Sequence, residues 1–300
     1  MTLREYFVGR NDRLRAPWRI VAFVAFTFTA INVVAIFVGP IVTQFFSLVG
    51  VQGVSNDTWI EAFGVVIGTA LAIRFLDKRP WSDVWLGAEA ARPALWIVGF
   101  AIGAVAIGVP IVALIGAHWL KLVGKTPGSW AGAGLRVSLY LLPAALFEEM
   151  FVRGYLLSVL KESWGWAGAI AATSVGFGLL HLRNDGANVE SLTLVTLAGV
   201  FLAVVLYATK SLYAAWMAHF AWNWTMAVAF HTAVSGIQLE APGYRYVDAG
   251  PDWATGGEWG PEGGLLGGAG MAGGATVSYL LARRRRSLVP ADVAATNLNS

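Results

Sequence analysis

An all-α, polytopic transmembrane bundle of about eight membrane helices is the fold class this chain predicts, on three observations. Hydrophobic residues make up 57% of the 300 and charged residues only 13%, about half the charged share of a soluble domain. Apolar stretches of about 20 residues, enough to cross a bilayer, recur along the chain. Lys and Arg gather in alternate connections between those stretches, as they do in cytoplasmic loops. With a mean hydropathy of +0.62, the chain has too little polar surface for a soluble globule.

The first apolar stretch, 18–39, follows a basic N-terminal segment. It has no small-residue cleavage site, so it reads as a retained span and not as a removed signal peptide. It can continue past Pro40 towards Val49 as a bent helix. Further spans follow at 58–76, 94–119, 137–160, 165–181, 191–209, 212–230 and 265–282. The third to seventh lie close together, which argues for one compact bundle. The last is rich in glycine (Gly264, Gly268, Gly270, Gly274) and is expected to pack within the monomer in preference to dimerising. No internal repeat is visible.

Eight spans put both termini on one side. That side would hold Arg4, Arg10, Arg13, Arg15, Arg19, Arg74, Lys78, Arg79, Arg92, Arg153, Lys161, Lys210 and Arg283 to Arg286. The other would hold Lys121, Lys125, Arg136, Arg183 and Arg245. The split is sixteen to five, so both termini are expected in the cytoplasm of a prokaryotic cell, with the protein multi-pass in its plasma membrane. The loop 231–264 should lie outside, its tryptophans near the interface. Residues 1–286 read as one transmembrane domain with a core at about 135–230, and 287–300 as a disordered cytoplasmic tail. The isoelectric point near 9.3 fits loops facing anionic lipid and argues no nucleic-acid partner. The chain has no cysteine, which excludes disulfides, a thiolate nucleophile and Cys-based metal sites.

Chemistry concentrates in three spans. The segment LYLLPAALFEEMFVRGYLLSVL holds Glu148, Glu149 and Arg153. A charge at the centre of a membrane helix costs about 3 kcal/mol even on the lenient insertion scale, and such groups pair, face inward and mark function. Glu149 and Arg153 are four residues apart and share a helical face. Glu148 lies about 100° round the helix, which leaves it the freer carboxylate and the candidate general base. A pair that only ties helices together would explain Glu149 and Arg153 but not Glu148. His181 ends the run VGFGLLH, with Phe177 four residues back. His219 and Asn223, also four apart, lie on one face of the run LYAAWMAHFAWNW. Alone, His181 reads more readily as an interfacial or hydrogen-bonded histidine, and the His219–Asn223 pair reads equally well as a hydrogen-bond staple between helices. Together they join the only charged cluster expected deep in a span, while His118 and His231 fall at span ends and read as interfacial. Such a set can hydrolyse an amide: a Glu activates water, and a His or the Asn stabilises the oxyanion. No aspartate lies in a predicted span and no HExxH occurs, which excludes an aspartyl pair and that zinc motif.

The runs EEMFVR, FGLLH and HFAWN resemble the EExxxR, FxxxH and HxxxN motifs of the CPBP family, the CAAX proteases and bacteriocin-processing enzymes, in family order over about 135–230. The resemblance implies an eight-helix intramembrane endopeptidase. It implies Glu148 as the base that activates water, with Glu149 and Arg153 as orienting partners. His181 and His219 would position water or stabilise the oxyanion, and Asn223 would donate to it. Eukaryotic members remove the last three residues of prenylated CAAX proteins. Prokaryotic members include enzymes with roles in bacteriocin maturation and immunity. The implied partner is a membrane-associated peptide or protein, lipidated ones included, together with the bilayer. No cofactor is required on the favoured metal-free reading. A divalent metal such as zinc is chemically compatible with Glu148, His181 and His219.

Two other functions compete: a proton-coupled transporter using the Glu, His and Arg groups as a relay, and a non-catalytic immunity or scaffold protein. Straight helices with these span ends place Glu148, His219 and His181 at unequal depths, roughly 18, 11 and 24 Å from the cytoplasmic side. Tilt, bends at Gly176 and Gly178, or different span ends must bring them level.

Overall fold

The computed structural model describes residues 6–9, 13–51, 54–124, 127–240 and 242–287, with backbone alone for 285–287. Arg4, Arg10 and Lys125, used in the orientation argument, lie outside the described residues. So does the expected tail beyond Ser287, which itself ends a helix.

Pro17 starts helix α1 (Ala16–Phe37), in the first turn where a missing N–H matters least. Pro40 does the same for α2 (Gly39–Leu48) after a break at Val38, so the first apolar stretch is a bent pair. Helix α3 (Asp57–Leu71) ends in a π-helical turn, Ala72–Asp77. Helix α4 (Pro93–Gly116) and strand β1 (Leu120–Val123) follow. Helix α5 (Trp130–Glu149) runs into a π-helical segment, Met150–Leu156, and then α6 (Leu157–Leu180). A capping box between Asn188 and Ser191 opens α7 (Val189–Thr209), and the Ser211 side chain caps α8 (Leu212–Trp224), which ends in a π turn to Ala229. Strand β2 (Arg245–Asp248) pairs antiparallel with β1, with Leu120 opposite Asp248. A short helix, α9 (Asp252–Thr255), precedes α10 (Leu265–Ser287).

Among the described residues six helices are long and apolar enough to cross a membrane; the chain is a multi-pass helical membrane protein. The count differs from eight for two reasons. Trp130–Leu180 is nearly continuous, interrupted only at Gly154 (φ −80°, ψ −110°) and Gly165 (φ 65°, ψ −176°). Helix α8 with its π turn, Leu212–Ala229, is not among them, because His219, Asn223 and three tryptophans make it less apolar than the six. It packs against α4, α5 and α7, and its Leu212, Ala214, Ala215, Ala218 and Ala221 are buried. A Cβ on Gly99 or Gly103 of α4 would strike the carbonyls of Ala214 or Ala218, so these glycines let two backbones meet. The glycines of α10 work within the monomer: Gly270 packs on the Ala106 carbonyl and Gly274 on Phe201.

One proline inside a span is matched by a donor from a neighbouring helix. Pro143 in α5 cannot donate to the Leu139 carbonyl one turn back, and the Trp59 indole of α3 donates to that oxygen at 2.9 Å. In a bilayer such a freed carbonyl needs a partner from the protein.

A second buried charge cluster ties the helix ends on the face where α1 begins. Arg19 donates to Asp77 and to Glu162, both at 2.7 Å, and Arg79 also pairs with Glu162. Burial of Arg19 and Asp77 adds a charged cluster at the helix ends that the sequence did not mark. At the opposite face the loop 231–264 folds inward. Trp259 and Glu262 are buried, and His231 is buried and stacked on Tyr244 at 4.5 Å. Trp259 and His231 are therefore core residues, not interfacial ones. His118, by contrast, is exposed, and Trp253 has half its surface open.

Candidate active site

Glu148 and Glu149 close α5 immediately before the π-helical segment, and Arg153 lies within that segment. Glu149 and Arg153 are fully buried and joined at 2.7 Å (Nη1 to Oε1). The same Glu149 oxygen accepts a hydrogen bond from His219 Nδ1 at 2.9 Å. Arg153 also donates to the Gly199 carbonyl of α7 at 3.3 Å, and its guanidinium lies 4.1 Å from the Phe177 ring centre. Buried charges that are paired, hydrogen-bonded and stacked in this way lose far less on leaving water than isolated ones.

Glu148 differs. Its side chain keeps 28% of its surface open, and one of its oxygens lies 3.9 Å from His219 Nε2. One of its oxygens is buried without a protein partner. With Nδ1 donating to Glu149, a neutral His219 presents Nε2 as an acceptor. A gap of 3.9 Å between a carboxylate oxygen and an acceptor nitrogen suits a bridging water that donates one proton to each.

His181 sits just past the end of α6. Its Nδ1 approaches the Phe177 carbonyl at 2.9 Å. A carbonyl only accepts, so Nδ1 carries the proton and a neutral His181 likewise presents Nε2 as an acceptor. Phe177 holds the groups together, with its ring 4.8 Å from His181 and 5.9 Å edge-on to His219. A cavity of about 20 Å³ lies here, bordered by Phe177, His181, His219, Trp222, Asn223 and Glu262. That volume holds a single water. His219 therefore adjoins both Glu148 and the cavity that carries His181 and Asn223.

The unequal depths have two physical sources. Helix α6 continues to Trp164 and breaks at Gly165, beyond the expected span end at Leu160. Glu148 and His181 then each stand about 16 residues, roughly 24 Å, from that break. The start of α8 is tucked inside: Leu212 N–H donates to the Trp85 carbonyl and Ser211 Oγ to the Ala90 carbonyl, both residues fully buried. His219 is thereby carried deeper than a surface-level helix start would place it.

Among the described residues no group of three or more His, Asp or Glu side chains is placed to hold a metal ion. Sequence reasoning missed Glu262 and the bridging part of Phe177. Phe177 was visible only as a same-face neighbour of His181. Glu262 sits in a loop that reads as exterior, and no local pattern marks it.

Residues 130–225 match the family model described as type II CAAX prenyl endopeptidase Rce1-like. The match spans Glu148, Glu149, Arg153, His181, His219 and Asn223, the residues gathered above, except that the loop bearing Glu262 lies beyond it. No curated protein and no solved structure gives a significant match. Such a domain implies an intramembrane protease with a protein or peptide substrate. Over residues 130–225 the chain thus carries an Rce1-like domain of the CPBP family of CAAX proteases.

Proposed function

We propose that the protein is an intramembrane endopeptidase that hydrolyses a peptide bond of a membrane-associated protein or peptide by glutamate-activated water, without a metal. One observation carries the reading: Glu149 is committed to both Arg153 and His219, while a Glu148 oxygen lies 3.9 Å from His219 Nε2, close enough for one water beside them to bridge both. Glu148 takes a proton from the water, and the oxygen adds to the scissile carbonyl carbon. The carbonyl oxygen becomes an oxyanion, to which the Asn223 amide donates. The C–N bond then breaks, and the leaving nitrogen receives the proton held by Glu148. His219 and His181 hold water by their Nε2 atoms, and Glu149 with Arg153 fixes the His219 ring. The proposed topology has eight crossings, with both termini cytoplasmic in a prokaryotic plasma membrane. A CAAX-type lipidated protein is one class of substrate within this reading.

The test compares protein termini in cells that express wild type or Glu148→Gln at matched levels. New termini that appear with wild type alone would establish the peptidase and identify its substrate. Identical termini, with both proteins folded in the membrane, would overturn the reading in favour of a binding or transport function.

A further inference from the structure

Glu262 is a carboxylate in a tight turn, Pro261–Gly263, just before α10, and it is only 5% exposed. Three groups donate to it. Trp222 Nε1 donates to Oε2 at 2.7 Å, while the Ser235 backbone N–H and hydroxyl donate to Oε1 at 2.7 and 2.6 Å. An indole and an amide N–H can only donate, so both need acceptors, and an amide side chain in place of the carboxylate would offer one oxygen for the three.

Both partners lead to the candidate site. Trp222 stands on α8 between His219 and Asn223. Ser235, at a positive φ of 48°, accepts through its carbonyl a hydrogen bond from the Asn184 side chain at 2.9 Å. Asn184 closes the turn that begins at His181, its N–H donating to the His181 carbonyl at 3.1 Å. One carboxylate therefore grips the His181 turn through Ser235 and Asn184, and the His219–Asn223 helix through Trp222. It also borders the one-water cavity these residues share.

We propose that Glu262 is a positioning residue of the site: it fixes the two histidine-bearing segments relative to each other around the cavity. The catalytic part of this inference rests on the peptidase reading. The geometric part does not, and the test separates them.

The chain has only four histidines, so ¹⁵N-histidine labelling in detergent micelles reads each imidazole directly, with His118→Gln and His231→Gln to assign two of them. In Glu262→Gln, and in Trp222→Phe, which keeps the ring but loses the N–H, the His181 and His219 signals are expected to move towards those of a tautomerically mixed imidazole. The exposed His118 serves as the unmoved control. Glu262→Asp is expected to restore part of the wild-type spectrum. Unchanged His181 and His219 signals in a folded Glu262→Gln or Trp222→Phe protein would overturn the proposal.

On the peptidase reading, the yield of new termini in Glu262→Gln cells falls by roughly tenfold to a hundredfold, the cost of an ångström-scale misplacement, at membrane levels equal to wild type. Full yield at those levels would overturn the catalytic part. If wild type and Glu148→Gln give identical termini, the peptidase reading fails alone, and the histidine spectra still decide the geometry.

Discussion

The two adjacent glutamates show how one residue step separates two jobs. Glu149 is enclosed by Arg153 and His219 and cannot move without leaving an unpaired buried charge. Glu148, a step further round the helix, keeps an open edge. Glu148→Ala should therefore abolish cleavage while the thermal midpoint in detergent stays close to wild type; a large drop in midpoint would show that Glu148 is structural. Arg153→Ala should destabilise the fold by about 3–5 kcal/mol, the usual consequence of stranding one partner of a buried pair. Thermal unfolding in detergent checks this, and an unchanged midpoint would contradict the pairing described here. This arrangement was legible in the sequence because the i,i+4 spacing of Glu149 and Arg153 and the helical offset of Glu148 are local. Glu262 was not legible, because its partners Trp222 and Ser235 lie 40 and 27 residues away.

At the scale of elements, the site depends on α8 being held inside the bundle by backbone contact on one side. Gly103 meets α8 at Ala218, the residue before His219. Gly103→Ala has no room for its methyl group and should destabilise by about 1–3 kcal/mol, the typical cost of overpacking; the ¹⁵N signal of His219 should shift with it. An unmoved midpoint and signal would show that the two helices separate freely. Trp59→Phe tests another joint. It strands the Leu139 carbonyl that Pro143 leaves open and should cost about 1–3 kcal/mol, seen as a lower thermal midpoint; an unchanged midpoint would show that this carbonyl finds another donor. The apolar stretches placed every one of these helices in the sequence. The end of the fourth at Trp164 was hidden, because Lys161 and Glu162 look like loop residues until Trp85, Trp166, Arg19 and Arg79 supply their partners from elsewhere.

At the scale of the molecule, the chain presents two unlike ends. One carries the Arg19, Asp77, Arg79 and Glu162 lock, and the other the β1–β2 ribbon with the folded loop above the cavity. The absence of native cysteine allows a direct check of orientation. Ser82→Cys and Gln238→Cys, both at exposed positions on opposite ends, should react differently with an impermeant maleimide applied to intact cells: Gln238→Cys at once, Ser82→Cys only after lysis. The reverse pattern would invert the proposed topology. The three motifs marked the segments whose side chains meet around His219. The inward fold of the 231–264 loop had no such herald, since glycine-rich sequence with scattered acids reads as solvent-facing until its hydrogen bonds are known. The π-helical segment Met150–Leu156 has a different sort of consequence. A wider turn absorbs one extra residue, and a regular helix of the same length would rotate everything after it by about 100°. The number of residues between Glu149 and Tyr155 is thus itself a specification, and this stretch should accept many substitutions of kind but scarcely any change of length.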